Sequence, residues 1–358
     1  MNNQRFSIEK IKVDQLYEYA RSSLRDPRFA DVAPISLIRA LAQSQNPHAD
    51  SGDIALVVGY EEDRCVGYHG LLPGYLSVEG GLSKVYWLVT FFMMPACRGK
   101  GYGKQLVQEI QKTGVDLVTT GITDAAEMVY TSVGFQILGE LVYYRINVEG
   151  PREVASGFEQ HNGWDGLSEG QRNIQAREVR TIDKLAGNRS GQPALLPAFL
   201  RDLEVQNWML QNPWVVSRNE AESDVENYYF SRVRDRFDFI ALEFYPRDGN
   251  QPVGHMVLSV SSRKSKTVLK ILDVFFQDPG DYTFAAHTGM QYAKTYQAQR
   301  LEFPAQLGPF FLKQPLLENL IKKKKRLYLY YPGHADSPLA QNASRIELNY
   351  CDGDTAFT

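Results

Sequence analysis

Phe91-Phe92-Met93-Met94-Pro95-Ala96-Cys97-Arg98-Gly99-Lys100-Gly101-Tyr102-Gly103-Lys104 is the stretch whose reading decides the fold. An apolar, strand-like run from Val85 to Met94 stops at Pro95. A turn with three glycines follows, and apolar residues at helical spacing (Leu106, Val107, Ile110) begin beyond it. Strand, glycine turn and helix start are the parts of an anion cradle. Glycine admits positive φ and close approach of the backbone to a ligand. Successive N–H groups then converge, and the helix N-terminus adds partial positive charge. Arg98 and Lys100 reinforce the attraction for phosphate, Arg98 through two-point contacts. The plain alternative is an ordinary strand-to-helix turn that happens to be rich in glycine.

The surrounding composition bounds the alternatives. A chain of 358 residues exceeds one typical domain, and 43% hydrophobic residues with 12% aromatics supply ample core. A formal net charge of −3 argues against a general nucleic-acid footprint. Three cysteines, Cys65, Cys97 and Cys351, are too few and too scattered for a disulfide framework or a cysteine metal site. The N-terminal segment has no apolar core of a signal peptide, and no run approaches the roughly 18 apolar residues of a membrane span. A cytoplasmic protein is expected.

Outward from the turn, Phe6 to Lys12 alternates as a strand, and Val13 to Leu24 and Ile35 to Leu41 carry helical spacing. Ile54 to Val58 and Cys65 to Leu72 read as a hairpin across a charged turn. Beyond the turn, a helix from Tyr102 to Lys112 leads to a strand, Asp116 to Ile122. A second helix, Asp124 to Ser132, is stopped by Gly134. Gln136 to Val148 reads as a hairpin or one long strand.

Two motifs now stand in order. Arg98-x-x-Gly101-x-Gly103 is followed by Ala126-x-x-x-Tyr130-x-x-x-Gly134-Phe135. Residues 1–150 thereby resemble the GNAT superfamily of acyl-CoA-dependent N-acyltransferases, with its pyrophosphate turn and its helix ending in Tyr-x-x-x-Gly-Phe. Thr123 departs from that pattern, standing where many members have an asparagine beside the pantetheine arm.

After a polar, glycine-rich stretch read as a linker over 151–176, the first half recurs. Ile54-Ala55-Leu56 is echoed by Ile240-Ala241-Leu242, and Val66-Gly67-Tyr68 by Val253-Gly254-His255. Phe91-Phe92-x-x-Pro95 is echoed by Phe275-Phe276-x-x-Pro279, and Val142-Tyr143-Tyr144 by Leu329-Tyr330-Tyr331. All four offsets lie between 184 and 187 positions. The expected fold class is therefore α+β: two tandem GNAT-like domains, each a mixed, mostly antiparallel twisted sheet flanked by helices. The first spans 1–150 and is the acyl-CoA-binding, catalytic one. The second, 177–358, is degenerate, because Gly280-Asp281-Tyr282 replaces the cradle and Asp281 repels a pyrophosphate.

The resemblance implies transfer of an acyl group, acetyl foremost, from acyl-CoA directly to a primary amine of a small or medium acceptor held in a deep cleft between the halves. No metal and no nucleic acid takes part. It assigns cofactor contacts to Phe92, Met93, Arg98, Gly99, Lys100, Gly101, Tyr102, Gly103, Lys104 and Thr123. The N–H of Met93 serves as oxyanion donor, on a strand that splays from Val118–Ile122. Tyr130 is the expected proton donor to the CoA sulfur. For the base, the long strand offers no carboxylate. His69 on the neighbouring strand is one candidate, and its alternative is a structural core histidine. Asp124 and Glu127 read more simply as helix-start charges, Tyr86 as a cleft-lining residue and Cys97 as packing. Lys322-Lys323-Lys324-Lys325-Arg326 reads as a solvated run. Two rival readings stay open: an acyl-CoA-binding regulatory module without turnover, and an aminoacyl-tRNA-dependent transferase of paired GNAT-like fold.

Overall fold

The computed structural model describes residues 6–147, 174–183, 196–217, 228–230, 233–312 and 320–355. The chain lays down β1 (Phe6–Lys12), α1 (Leu16–Ser23), α2 (Leu37–Ser44), β2 (Ile54–Glu61), β3 (Arg64–Val78) and β4 (Gly81–Met93). Then come α3 (Tyr102–Gln111), β5 (Asp116–Thr120), α4 (Asp124–Ser132) and β6 (Gln136–Asn147). The second half runs β7 (Ile174–Val179), β8 (Ala198–Phe199), α5 (Leu203–Gln211), β9 (Val216–Ser217), β10 (Val233–Arg234), β11 (Arg236–Pro246), β12 (Gly254–Arg263) and β13 (Lys266–Phe276). It ends with α6 (Tyr282–Thr295), β14 (Arg300–Pro304), α7 (Gly308–Leu312), β15 (Ile321–Tyr331) and α8 (Pro338–Asn342).

The apolar runs pair as their spacing dictates. Polar turns fold β2 onto β3 and β3 onto β4 as antiparallel neighbours. The helix α3 carries the chain back so that β5 runs parallel to β4, since a parallel partner requires a crossover. The second half repeats this order, with β11, β12 and β13 antiparallel and β14 parallel to β13 across α6. Fold class is thus mixed α+β with a mostly antiparallel sheet, as the sequence indicates.

One feature departs from two separate sheets. The order is β1-β2-β3-β4-β5-β15-β6-β14-β13-β12-β11-β7, and the short β8 pairs with β3 off this path, making a single sheet of 13 strands. The last strand of each half lies against the other half: β15 pairs with β5, β6 pairs with β14, and the two cross in the middle. The stretch expected as linker lies outside the described residues up to 173, and β7 begins at Ile174, inside its expected end. The core follows the exchange. Leu72, Trp87 and Val118 of the first half pack in one cluster with Phe199, Trp208, Leu272 and Tyr328 of the second. Trp208 Nε1 donates to the carbonyl of Ala42 at the C-terminal end of α2, at 2.8 Å.

Candidate active site at the splay of β4 and β5

The parallel pairing of β4 with β5 stops at Leu88 opposite Thr119. Beyond it β4 is bent by a bulge. His69 faces Phe91 and Gly70 faces Val89, so Thr90 is the extra residue, with φ of 48°. A bulge of this kind bends its strand away from a neighbour. Gly70 leaves room for it, since a Cβ there would come within 2.5 Å of Thr90 Oγ1. The splay expected from the sequence is present, and Thr90 is its cause.

The gap opens into a cavity of about 280 Å³. The first half contributes Thr90 and Phe91 from β4, Thr120 and Gly121 from the end of β5, and Tyr130 from α4. Across from them stand Trp214, Phe230, Arg326 and Asp354 of the second half, with Arg39 from α2. Arg39 is almost wholly buried; its Nη2 meets Asp354 Oδ2 at 3.1 Å and its guanidinium lies over Trp214. Neither Arg39 nor Asp354 carries a motif signal, and 315 positions separate them, so the sequence could not bring them together.

Tyr130 Oη lies 2.7 Å from His69 Nε2. His69 Nδ1 is 3.1 Å from the carbonyl of Gly70, which only accepts, so the proton is assigned to Nδ1 and Nε2 accepts from the tyrosine. Phe91 stacks on the imidazole at 4.8 Å. Both groups are sealed from water: burial lowers the His69 imidazole to about 4 and raises the Tyr130 hydroxyl above its ordinary value. His69 does not line the cavity, so it reaches the cleft only through Tyr130. That corrects the expectation of His69 as a base in contact with the acceptor. Its folded pKa lies below the ordinary 6.5, so between those values the unfolded chain holds a proton that the folded chain refuses. Its stabilising contribution is therefore full above pH 6.5 and falls by about 3 kcal/mol as pH drops through 4. Urea midpoints measured at pH 7 and 4.5 should show a larger drop for the native chain than for His69→Gln. Equal drops refute the assignment.

The glycine turn follows β4 directly. Gly99 and Gly101 hold φ of 81° and 83°, and Gly101 is the N-cap of α3 with no side-chain cap. The first N–H groups of α3 are therefore not taken by a capping side chain. Gly103 lets α3 lie close on β4, as a Cβ there would come within 2.9 Å of Phe91. Met94 N donates to Val66, so by alternation the N–H and carbonyl of Met93 face away from β3, towards the open side. Arg98 Nε donates to that carbonyl at 3.3 Å. The turn is exposed and does not line the cavity; Met93 connects the two along β4, about 7 Å past Phe91.

Other expected contacts fall differently. Lys100 Nζ and Tyr102 Oη both bind Glu61 Oε1, at 2.7 and 2.6 Å, which holds that carboxyl below its usual range. Lys100 is thus tied to Glu61 at the end of β2, beside the turn. Phe92 turns its ring to Tyr68 and Tyr229 on the opposite face, and by the same alternation its backbone N–H and carbonyl face β3. Thr123 lines the cavity, and its hydroxyl caps α4 by accepting from Ala126 N. Tyr86 donates to Asp53 and stands outside the cleft. Cys97 is buried with Glu61 beside it, which raises its thiol pKa, so packing is its role. In the second half, Asp278 Oδ1 accepts from Gly280 N, filling that turn with its own carboxylate. Among the described residues no His, Cys, Asp and Glu group suits a metal ion, and no helix is long and apolar enough to cross a membrane.

Residues 52–137, which hold the splay, the turn and Tyr130, match the family model of the acetyltransferase (GNAT) domain. No curated protein matches the chain. Among solved structures, a GCN5-related N-acetyltransferase from Anabaena variabilis has a TM-score of 0.52 at 14% identity, covering 94% of this chain and 74% of its own. A protein from Enterococcus faecalis described as a probable N-acyltransferase scores 0.51 at 11% identity, covering 94% and 74%. N-myristoyltransferase of Saccharomyces cerevisiae, solved with bound myristoyl-CoA, scores 0.50 at 11% identity, covering 94% and 85%. These likenesses are of fold, and they extend beyond residues 52–137 through the second half.

Proposed function

We propose that the chain is an N-acetyltransferase that moves an acetyl group from acetyl-CoA directly to a primary amine of a small or medium-sized acceptor. The observation that carries this reading is the alignment of three things along β4: the uncapped start of α3, the outward-facing amide of Met93, and the cavity holding Tyr130. The backbone N–H groups of Gly101 to Lys104, with Arg98, suit a pyrophosphate. The unpaired edges of β4 and β5 suit the amides of a pantetheine arm. A cavity of about 280 Å³ must take both thioester and amine, which favours a short acyl group.

In this reading the amine attacks the thioester carbonyl, and the N–H of Met93 stabilises the oxyanion. As the C–S bond breaks, Tyr130 gives its proton to the thiolate and recovers one from the ammonium formed in the attack. His69 is a positioning residue that fixes the tyrosine's rotamer. The whole chain is proposed to be organised as a catalytic first half and a second half, without its own cradle, that closes the acceptor side. Mass spectrometry for co-purified CoA, then free-thiol release across a panel of amines, tests the proposal. Sustained turnover supports it, and CoA binding without turnover on any amine points instead to a sensing module.

Gly101→Val gives a direct test of the cradle. A β-branched residue in the left-handed region costs about 1–2 kcal/mol and turns the first amides of α3 aside. Affinity for acetyl-CoA, read by calorimetry, should fall at least about tenfold; unchanged affinity removes the cradle from the proposal.

A further inference from the structure

Beside the cleft lies a larger cavity of about 1010 Å³ on the central strands. Seven of its lining side chains are cations and one, Glu302, is a carboxylate, in a chain whose formal net charge is −3. The sheet register explains how they gather. Lys322 on β15 faces Arg145 on β6, Arg145 faces Glu302 on β14, and Glu302 faces Lys270 on β13. Directly paired residues share a face, so these four form one transverse row. Lys324 and Arg326 lie on that face too, two and four residues along β15, which corrects the reading of this run as simply solvated. Arg263 and Lys266 pair with each other across β12 and β13, and neither has an ion-pair partner among the described residues. Glu302 engages Arg145 at 2.8 Å, Arg300 at 3.9 Å and Tyr350 Oη at 2.7 Å, and as one carboxylate among seven lining cations it offsets only part of the charge. From β15 to β12 the face spans about 19 Å.

Arg326 joins this face to the cleft, since it lines both cavities. Its Nη1 donates to Thr355 Oγ1 and to the carbonyl of Tyr350. Resting on the acetyl-transfer reading, we propose that the acceptor is a small polyanion: an amine whose remainder carries phosphate or carboxylate groups. The amine enters the cleft by Tyr130, and the anionic groups lie along the cationic row. Clustered like charges repel in the free protein, and a bound anion relieves that repulsion. The concave, partly buried setting suits a small molecule better than an extended nucleic acid, which needs a broad basic surface.

The test uses the full chain at 150 mM salt, first saturated with CoA so that the Arg98 turn is occupied. Inorganic tripolyphosphate and citrate are the probes, distinguishing phosphate from carboxylate chemistry. At least one should raise the melting temperature and bind, and Arg263→Glu/Lys266→Glu should weaken that binding by roughly tenfold or more. Where thiol release is seen, glucosamine 6-phosphate should show a KM about tenfold below that of glucosamine, and the double variant should erase the difference with kcat little changed. Absence of binding by both probes while CoA still binds overturns the inference alone. Binding indifferent to the double variant does so too, as does a mixed tRNA pool that displaces the probe and binds more tightly. Loss of CoA binding in the native chain refutes the acetyl-transfer reading instead.

Discussion

A chain ended at residue 150 is expected not to form a stable domain, although it contains both motifs and all of residues 52–137 that match the family model. The reason lies in the sheet. Removing the second half strips β5 of β15, and strips β6 of both neighbours, β15 and β14. Three rows of backbone donors and acceptors would then need water or a foreign strand, the condition that drives edge-to-edge aggregation. The cluster around Trp87 also loses Phe199, Trp208 and Tyr328, and truncating even one such large aromatic side chain in place costs about 3–5 kcal/mol. Size-exclusion chromatography and urea unfolding should find the fragment aggregated or without a cooperative transition. Co-expression of 1–150 with the remainder should restore a soluble complex and its single transition. A monomeric 1–150 fragment with a sharp unfolding transition would show that the exchange of strands is dispensable.

Tyr130→Phe is expected to lower kcat about 10²–10³-fold while leaving acetyl-CoA affinity unchanged, because the hydroxyl acts only when the thiolate leaves. The native pair does not titrate between pH 6 and 9, with the imidazole depressed to about 4 and the hydroxyl raised above its ordinary value. The rate should therefore follow deprotonation of the acceptor amine across that window, with no added limb from the enzyme's pair. The variant also strands His69 Nε2 without its donor in a buried place, a cost of about 1–3 kcal/mol. Tyr130→Phe/His69→Leu removes that stranded group and should regain stability without regaining rate. If the single variant keeps native kcat, the proton comes from elsewhere and the proposed role of Tyr130 fails.

The geometry of the glycine turn was legible because it is local. Gly99, Gly101 and Gly103 sit within five residues, and the φ of 81° at Gly99 and 83° at Gly101 are demands that only glycine meets at low cost. Tyr130 was legible through its distance from Gly134 and Phe135, with which it closes the end of α4: Phe135 N donates to the carbonyl of Tyr130 at 3.1 Å. The far wall of the cleft was not legible, because its residues meet the first half only across the exchange of strands. Arg326 read as the end of a lysine run, yet alternation along β15 turns it, with Lys322 and Lys324, to one face. His69 read as a possible base, and only its complete burial and its contact with Tyr130 support the positioning role proposed for it.

From the sequence alone come the order of strands and helices, the glycine turn after β4 and the lack of its glycines at Gly280 to Tyr282, since these rest on short-range backbone preference. The tertiary structure alone decided that the halves share one sheet and that Thr90 bulges to open the cleft. It also decided that Arg39, Arg326 and Asp354 close that cleft. Strand partners are chosen by edges left open elsewhere in the fold, and a side chain's solvation depends on what packs against it, so neither is written in the spacing of residues along the chain.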